Sequence, residues 1–346
     1  MNGLAVRQAT DVDSPRWDEF VRRFNRASFY HRYGWMRVIS QAFGHDVYPL
    51  LCEDERDVQG VLPLVLIESR LFGRIMCSMP FLNYGGPVAT SDAAESLLIE
   101  SARRLARELN VDFLELRSRH KLPIEGIQPS THKVSMTIDL DSDPERLWTA
   151  FSSKHRTSVR RAYKNELRVE KGGPELLEDY YRLMALSWRS LGTPFYSRSF
   201  FGHVLDEFQD SIEIFLCLHG NQPIAVAMNG VHEGTVEGMW AGAEPAGRHL
   251  QYSYVLYWEM VKDACLQGRK SFHLGRSSAD SGGEVFKKKW NAVPEQLYWY
   301  YDLVKRDRMP NLNTGNPRFS GAIELWKKLP LFATRTIGPI IAKSIP

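Results

Sequence analysis

Two stretches of the chain share one alternation of apolar and polar positions. In residues 95–118 (ESLLIESARRLARELNVDFLELRS), Leu97, Leu98, Ala102, Leu105 and Ala106 recur at three- and four-residue spacing. That stripe predicts an amphipathic helix, followed after a short break by the strand FLELRS. Residues 252–277 repeat the pattern with Leu256, Met260, Val261 and Ala264, and end on FHLGRS. Upstream, Gln59-Gly60-Val61-Leu62-Pro63-Leu64 resembles Gln222-Pro223-Ile224-Ala225-Val226-Ala227, a short turn opening an apolar strand. A second strand and a Gly/Pro loop follow in both places: Tyr84-Gly85-Gly86-Pro87, and Trp240-Ala241-Gly242-Ala243-Glu244-Pro245. The repeated unit is helix, antiparallel strands, loop, helix, strand. It predicts an α+β or α/β fold, with helices on a mixed, mostly antiparallel sheet, occurring twice. Over 346 residues the expected division is 1–145, 146–309 and a C-terminal tail, 310–346, packing on the second domain.

Composition changes this picture by exclusion. Hydrophobic residues are 43 % and charged residues 25 %, with 9 Trp, 14 Tyr and 17 Phe, enough for two cores and unlike a disordered chain. The longest near-continuous apolar run, Val58 to Ile67, is about half the ~20 residues a membrane span needs. Arg7, Asp11 and Asp13 fall where a secretory leader needs its apolar stretch. A cytoplasmic protein with no transmembrane segment is expected, at most peripheral at the inner membrane face. Cys52, Cys77, Cys217 and Cys265 are scattered with no CxxC, and the ten His form neither HxxxH nor HExxH, so no metal is expected.

The net charge of +3 matters less than its distribution. Lys154 to Lys171 holds Lys154, Arg156, Arg160, Arg161, Lys164, Arg168 and Lys171 against Glu166 and Glu170. On a continuous helix Arg160, Arg161, Lys164 and Arg168 fall within about 100° of one another, with Val159, Ala162 and Tyr163 opposite. A one-sided basic helix suits phosphates, and a solvated helix face is the plainer alternative. The second concentration of chemistry is Gly275 to Trp290 (GRSSADSGGEVFKKKW). Small residues there let backbone N–H groups approach a ligand, and Arg276 and Lys287 add charge. The spacing is neither a P-loop nor GxGxxG. Phe286 and Trp290, four apart, serve equally well as packing residues.

PFLNYGGP (80–87), the basic stretch with its following Gly-Gly, LGTPFY (191–196), FHLGRSSADSGGEVFKKKW and the tail from Asn316 together resemble the FemAB-related family. The branch they resemble is the one associated with exosortase/PEP-CTERM systems. That resemblance implies two tandem GNAT-like domains, which accounts for the repeat. It also implies transfer of an acyl or aminoacyl group to an amine of a cell-envelope precursor. In the family pattern Phe286-Lys287 correspond to the Phe-Lys pair beside the acceptor, Arg276 to the Arg after the strand-end Gly, and Arg156 and Arg160 to the basic stretch. Leu274, Val285 and Asn291 stand where Phe, Tyr and Gly are usual. No long heptad-patterned insertion occurs, so the coiled-coil arm of some relatives is expected to be missing.

Aminolysis of an ester or thioester needs a neutral amine, its alignment, and stabilisation of the oxyanion. Lys287 and Arg276 are the candidate positive groups, and Asp280 or Glu284 the candidate proton acceptors. Tyr84, Lys154, Arg156, Arg160, Arg161, Phe286 and Trp290 are candidate substrate-binding residues. No resident cofactor is expected. The donor is aminoacyl-tRNA or acyl-CoA, and the acceptor an envelope precursor, free or lipid-linked, rather than DNA. Gly242 to Gly247 lacks the Q/RxxGxG/A pattern of acetyl-CoA sites, which counts against acetyl-CoA, as the expected absence of the arm counts against tRNA. An acyl-CoA- or acyl-carrier-dependent N-acyltransferase acting on an amino sugar or amino acid, and a non-catalytic binding module, are the alternatives. In the tail, Phe319, Ile323, Trp326, Leu329 and Leu331 suit burial between Pro310, Pro317, Pro330 and Pro339, whereas Trp326-Lys327-Lys328 suits a membrane interface.

Overall fold

The computed structural model describes residues 3–69, 72–279, 281–307 and 317–345. The chain divides into two compact units. One runs to Val134 and resumes at Gln296; the other takes Ser135–Glu295 and the C-terminal helices to Ala342. The first unit opens with β1 (Ala5–Gln8), α1 (Ser14–Arg23), α2 (Gly34–Phe43), β2 (Asp46–Glu53), β3 (Val58–Ser69) and β4 (Gly73–Ser78). It continues with β5 (Val88–Ala89), α3 (Asp92–Glu108) and β6 (Phe113–Ser118). Next come β7 (Lys133–Asp139), α4 (Pro144–Ala150), α5 (Ser153–Tyr163), β8 (Leu167–Gly172), α6 (Leu177–Leu191) and α7 (Arg198–Phe208). The second unit goes on through β9 (Ile212–His219), β10 (Gln222–His232), β11 (Thr235–Ala243), α8 (Tyr252–Leu266), β12 (Ser271–Ser278), α9 (Gly282–Lys288) and β13 (Val293–Gln296). The chain then forms β14 (Tyr298–Leu303), α10 (Pro317–Lys328) and α11 (Leu331–Ala342).

The repeat read from the pattern is present as topology. The first sheet runs β1-β2-β3-β4-β6-β14, with β5 beside β3, and the second runs β8-β9-β10-β11-β12-β7-β13. In each, four antiparallel strands are followed by a parallel neighbour reached through one crossover helix, α3 between β4 and β6 and α8 between β11 and β12. A parallel pair needs such a crossover because a tight turn cannot return the chain in the same direction. The strand beyond the parallel pair is exchanged. β7, which follows β6 in sequence, joins the second sheet, and β14, which follows β12 and the edge strand β13, pairs antiparallel with β6 over Phe113–Ser118. Tyr298–Leu303 therefore belongs to the first sheet, although contiguous boundaries at 145 and 309 assign it to the second domain.

Local sequence explains the elements. On β3, Leu62, Leu64 and Leu66 pack with Leu98, Ile99 and Ala102 of α3, while Val61 packs with Trp17, Phe20 and Val21 of α1 on the opposite face. A strand covered on both sides reads as a continuous apolar run rather than an alternating one, which is what Val58 to Ile67 is. Ser91 and Ser152 cap α3 and α5, their hydroxyls accepting the amide protons of Ala94 and His155. The basic helix is shorter than the charge pattern suggests. It stops at Tyr163, the chain turns at Glu166 with φ +53°, and Arg168 lies on β8, donating to the Gly220 carbonyl. Val159 and Ala162 face the core as expected. Asn291 itself adopts the left-handed conformation, φ +57°, a region that Asn tolerates better than most other side chains. The tail packs on α6, with Trp326, Thr334, Gly338 and Ala342 buried. Ile323, Leu329 and Leu331 are half-buried, and Phe319 lies outside the residues whose side chains are described.

Candidate active site

β11 carries an irregularity. Met228 of β10 faces Trp240, but Asn229 faces Gly238, so Met239 is an extra residue. The parallel pairing of β11 with β12 covers only Thr235–Glu237 and Ser271–His273. Beyond it, Ala241, Gly242 and Ala243 border a cavity of about 240 Å³. Ser187, Ser190 and Leu191 of α6 line one side, and Leu256 and Tyr257 of α8 the other. Arg248, Tyr252 and Ser253, at the start of α8, complete it. Gly242 keeps the space open: a Cβ there would lie 2.6 Å from Met184 Sδ and 3.0 Å from Ser187 Cβ.

Tyr257 connects the cavity to the Phe-Lys pair. Its ring also meets Phe286 edge-on, 5.2 Å between centroids, and stacks on Trp290. One residue past Phe286, Lys287 is 9 % exposed, and its Nζ donates to the carbonyls of Gly275 (2.9 Å) and Arg276 (3.0 Å) at the end of β12. Gly275, at φ +73°, supplies the bend there. Burial and then the nearby Arg276 charge pull the Lys287 ammonium down to about 8. Two of its three N–H donors are committed to the backbone, which fixes the direction of the third. Glu284 is buried and pairs with Lys288 at 2.7 Å, with its amide donating to the Ser281 cap. Asp280 lies outside the described residues.

The basic stretch is placed beside this cavity, with its side chains in different roles. α5 packs on α8. Arg161 donates to the Gln251 side chain immediately before α8, and Arg160 lies over the Trp148 ring at 5.5 Å. Arg156 donates to the carbonyls of Thr149 and Phe151, closing the end of α4. Lys154 is exposed. Trp290 is fully buried against His155, Phe151 and Tyr257, a packing role. Of the cavity-lining residues, Ser187, Arg248 and Tyr257 were not singled out from the sequence, and Gly242 only as part of a loop without the acetyl-CoA pattern; they come from α6, β11, the turn before α8 and α8 itself, and form no local motif.

Tyr84 belongs to the first unit. It is buried edge-on to Tyr30 at 5.0 Å, with the Arg119 guanidinium over its ring. Here the segment after β4 turns back onto β6. The Gly85 amide donates to the Arg117 carbonyl, and a Cβ on Gly86 would sit 2.9 Å from that same oxygen. Arg117 and Glu115 are buried as an ion pair at 2.7 Å, with the guanidinium over Trp299. The NYGGP run thus has a close-packing reason for its two glycines.

Among solved structures the fold is shared with FemX: 13 % identity, TM-score 0.67, 87 % of this chain and 98 % of that one. The C-terminal domain of a putative lysylphosphatidylglycerol synthetase from Agrobacterium fabrum matches at 14 % identity and TM-score 0.58, covering 84 % and 91 %. A tandem GNAT protein from the clavulanic acid biosynthesis pathway matches at 11 % identity and TM-score 0.52, covering 88 % and 100 %. No curated protein matches the chain by sequence. The mixed sheets flanked by helices are GNAT-like. Residues 153–288, from the first residue of α5 to the last of α9, match the acetyltransferase (GNAT) domain family, and the second unit accordingly carries a GNAT-type acyltransferase domain.

Proposed function

We propose that the protein moves an acyl or aminoacyl group from a phosphate-bearing donor to an amine of a cell-envelope precursor, forming an amide. The observation carrying this reading is the cavity at the end of β11, bounded by the start of α8 and joined through Tyr257 to the Phe286-Lys287 pair. Gln251 provides no side-chain cap to α8, and Arg248 stands at the same helix end, a combination suited to a phosphate. The acyl carbonyl would lie toward Lys287. A neutral amine attacks it, a C–N bond forms, the C–O or C–S bond of the donor breaks, and the amine proton leaves with the departing oxygen or sulfur. Lys287, ammonium at pH 7, would face the oxyanion. Glu284, held by Lys288, would fix the start of α9, and the Arg160–Arg161 side of α5 would bind further phosphate. The resemblance to the exosortase-associated branch directs the acceptor search toward amino sugars and peptides of envelope polysaccharide assembly.

The test is amide formation, read by mass spectrometry, with acetyl-CoA, longer acyl-CoA and aminoacyl-tRNA offered against such amines. Turnover with one donor is expected, falling about 100-fold or more in Lys287→Ala, the size of a lost oxyanion contact. Binding of donors with no product would make the domain a binding module, and unchanged turnover in Lys287→Ala would remove that residue from the mechanism. The salt dependence of donor binding separates the two donors. Several tRNA phosphates give a steep slope, and one CoA a shallow one.

A further inference from the structure

α11 is apolar on both of its faces. Thr334, Gly338 and Ala342 face inward, Gly338 lying against the backbone of Phe195. At 100° per residue, Phe332, Ala333, Thr336, Ile337 and Ile340 share the opposite face, which carries no charge. Phe332 is 74 % exposed and Ile340 65 %, with Ile337 exposed beside them. Leu325 of α10, 63 % exposed, and Leu191 at the end of α6, 60 % exposed, add to the apolar surface of this region. Gly192, next to Leu191, packs against Ile323 of α10, so the helix pair adjoins the end of α6 that lines the candidate cavity.

Isolated exposed apolar residues are ordinary, but several on one uncharged helix face mark a contact surface. Its charge setting selects the partner. Residues 317–342 hold Arg318, Lys327, Lys328 and Arg335 against one acidic residue, Glu324, which pairs with Lys327 at 2.8 Å, while Arg335 pairs with Glu178 of α6 at 3.7 Å. Lys328 is exposed in the last turn of α10, next to Lys327 and Trp326. Each helix is 12 residues, and no helix among the described residues is long and apolar enough to cross a membrane.

We propose that α10 and α11 form a docking surface for an anionic lipid bilayer, with Phe332, Ile337 and Ile340 entering the headgroup–acyl boundary and Lys327 and Lys328 meeting lipid phosphates. This is the arrangement of an interfacial helix. A second copy is disfavoured as occupant, because self-pairing of the α10–α11 surface would set Lys327 and Lys328 near their counterparts with no acidic partner but Glu324. Docking here would hold the α6 side of the cavity beside the bilayer. The surface is inferred independently of acyl transfer, and its failure would leave that reading standing.

The test is flotation of the full chain with vesicles of equal phosphatidylglycerol and phosphatidylcholine, against phosphatidylcholine alone. Binding is expected to the anionic vesicles, at least about tenfold weaker to the neutral ones, and reduced by 0.5 M salt. Phe332→Ser with Ile340→Ser should weaken it about tenfold or more. Both side chains are exposed, so the thermal midpoint of the double variant is expected to match the parent, which separates lost docking from lost folding. No flotation, or flotation indifferent to the double variant, overturns the proposal. Concentration-dependent dimers abolished by the double variant, without vesicle binding, would reassign the face to an interface between copies.

Discussion

The imidazole of His155 is 3 % exposed, neither ring nitrogen has a hydrogen-bond partner, and it packs edge-on to Trp290 with centroids 4.4 Å apart. Burial, and then the Lys289 charge, lower its pKa to about 4. Between that value and the ordinary 6.5 the unfolded chain binds the extra proton, so stability rises with pH across the window and is lost as pH falls through it. The expected loss is about 2 kcal/mol from pH 7 to pH 5 and about 3 kcal/mol once pH is below 4. Thermal unfolding at pH 7 and pH 5 checks this, and His155→Phe should show a smaller difference between the two pH values than the parent. Lys287 acts in the same direction in another window. Its lowered pKa costs stability below about 8, and that cost disappears as pH rises toward 10.5. In the sequence His155 is simply one position within the basic run from Lys154 to Lys171. Its burial depends on Phe151, Tyr254 and Trp290, which no spacing rule groups with it.

The helix–strand units were legible because their periodicities are local. α3 with β6, and α8 with β12, lie where the apolar stripes put them, and β3 and β10 hold the apolar runs, although Gln59-Gly60 and Gln222-Pro223, read as opening turns, lie within the strands. The cavity was not legible, since α6, β11 and α8 each contribute side chains that look ordinary alone. Two substitutions test it at this scale. Gly242→Val places methyl groups where Met184 and Ser187 already crowd, and should weaken donor binding about tenfold or more, at some cost in stability. Arg248→Glu, on an exposed residue, should weaken it similarly with the thermal midpoint unchanged, because it replaces attraction to phosphate by repulsion. Fluorescence anisotropy with labelled donor reads both. Unchanged affinity in Arg248→Glu would move the phosphate site away from the start of α8.

For the whole chain, strand exchange decides which fragments can fold. A fragment ending at residue 145 has β6 but no β14, leaving the Phe113–Ser118 edge of the first sheet unpaired. Such a fragment is expected to aggregate or to lose cooperative unfolding, whereas adding a peptide that covers 296–307 should restore it; circular dichroism melts would check both. If the short fragment alone melts as sharply as the intact chain, β14 is dispensable. The apolar and charged patterns could locate β14 as a strand, but not its sheet, because pairing partners nearly two hundred residues apart leave no trace in local periodicity.

The same exchange sets an order of events during synthesis. A ribosome that has finished β6 must translate Ser135–Glu295 of the second unit before β14 emerges, which takes roughly 10–40 s at common elongation rates. For that interval the nascent first sheet has an open edge at β6, beside a strand, β7, that is destined for the other sheet. Pairing β7 with β6 would be the nearer and faster contact, and it would have to come apart later. The protein's dependence on chaperones in the cell should therefore lie in the order in which its strands are made, and a circular permutant that begins at β14 should relieve it.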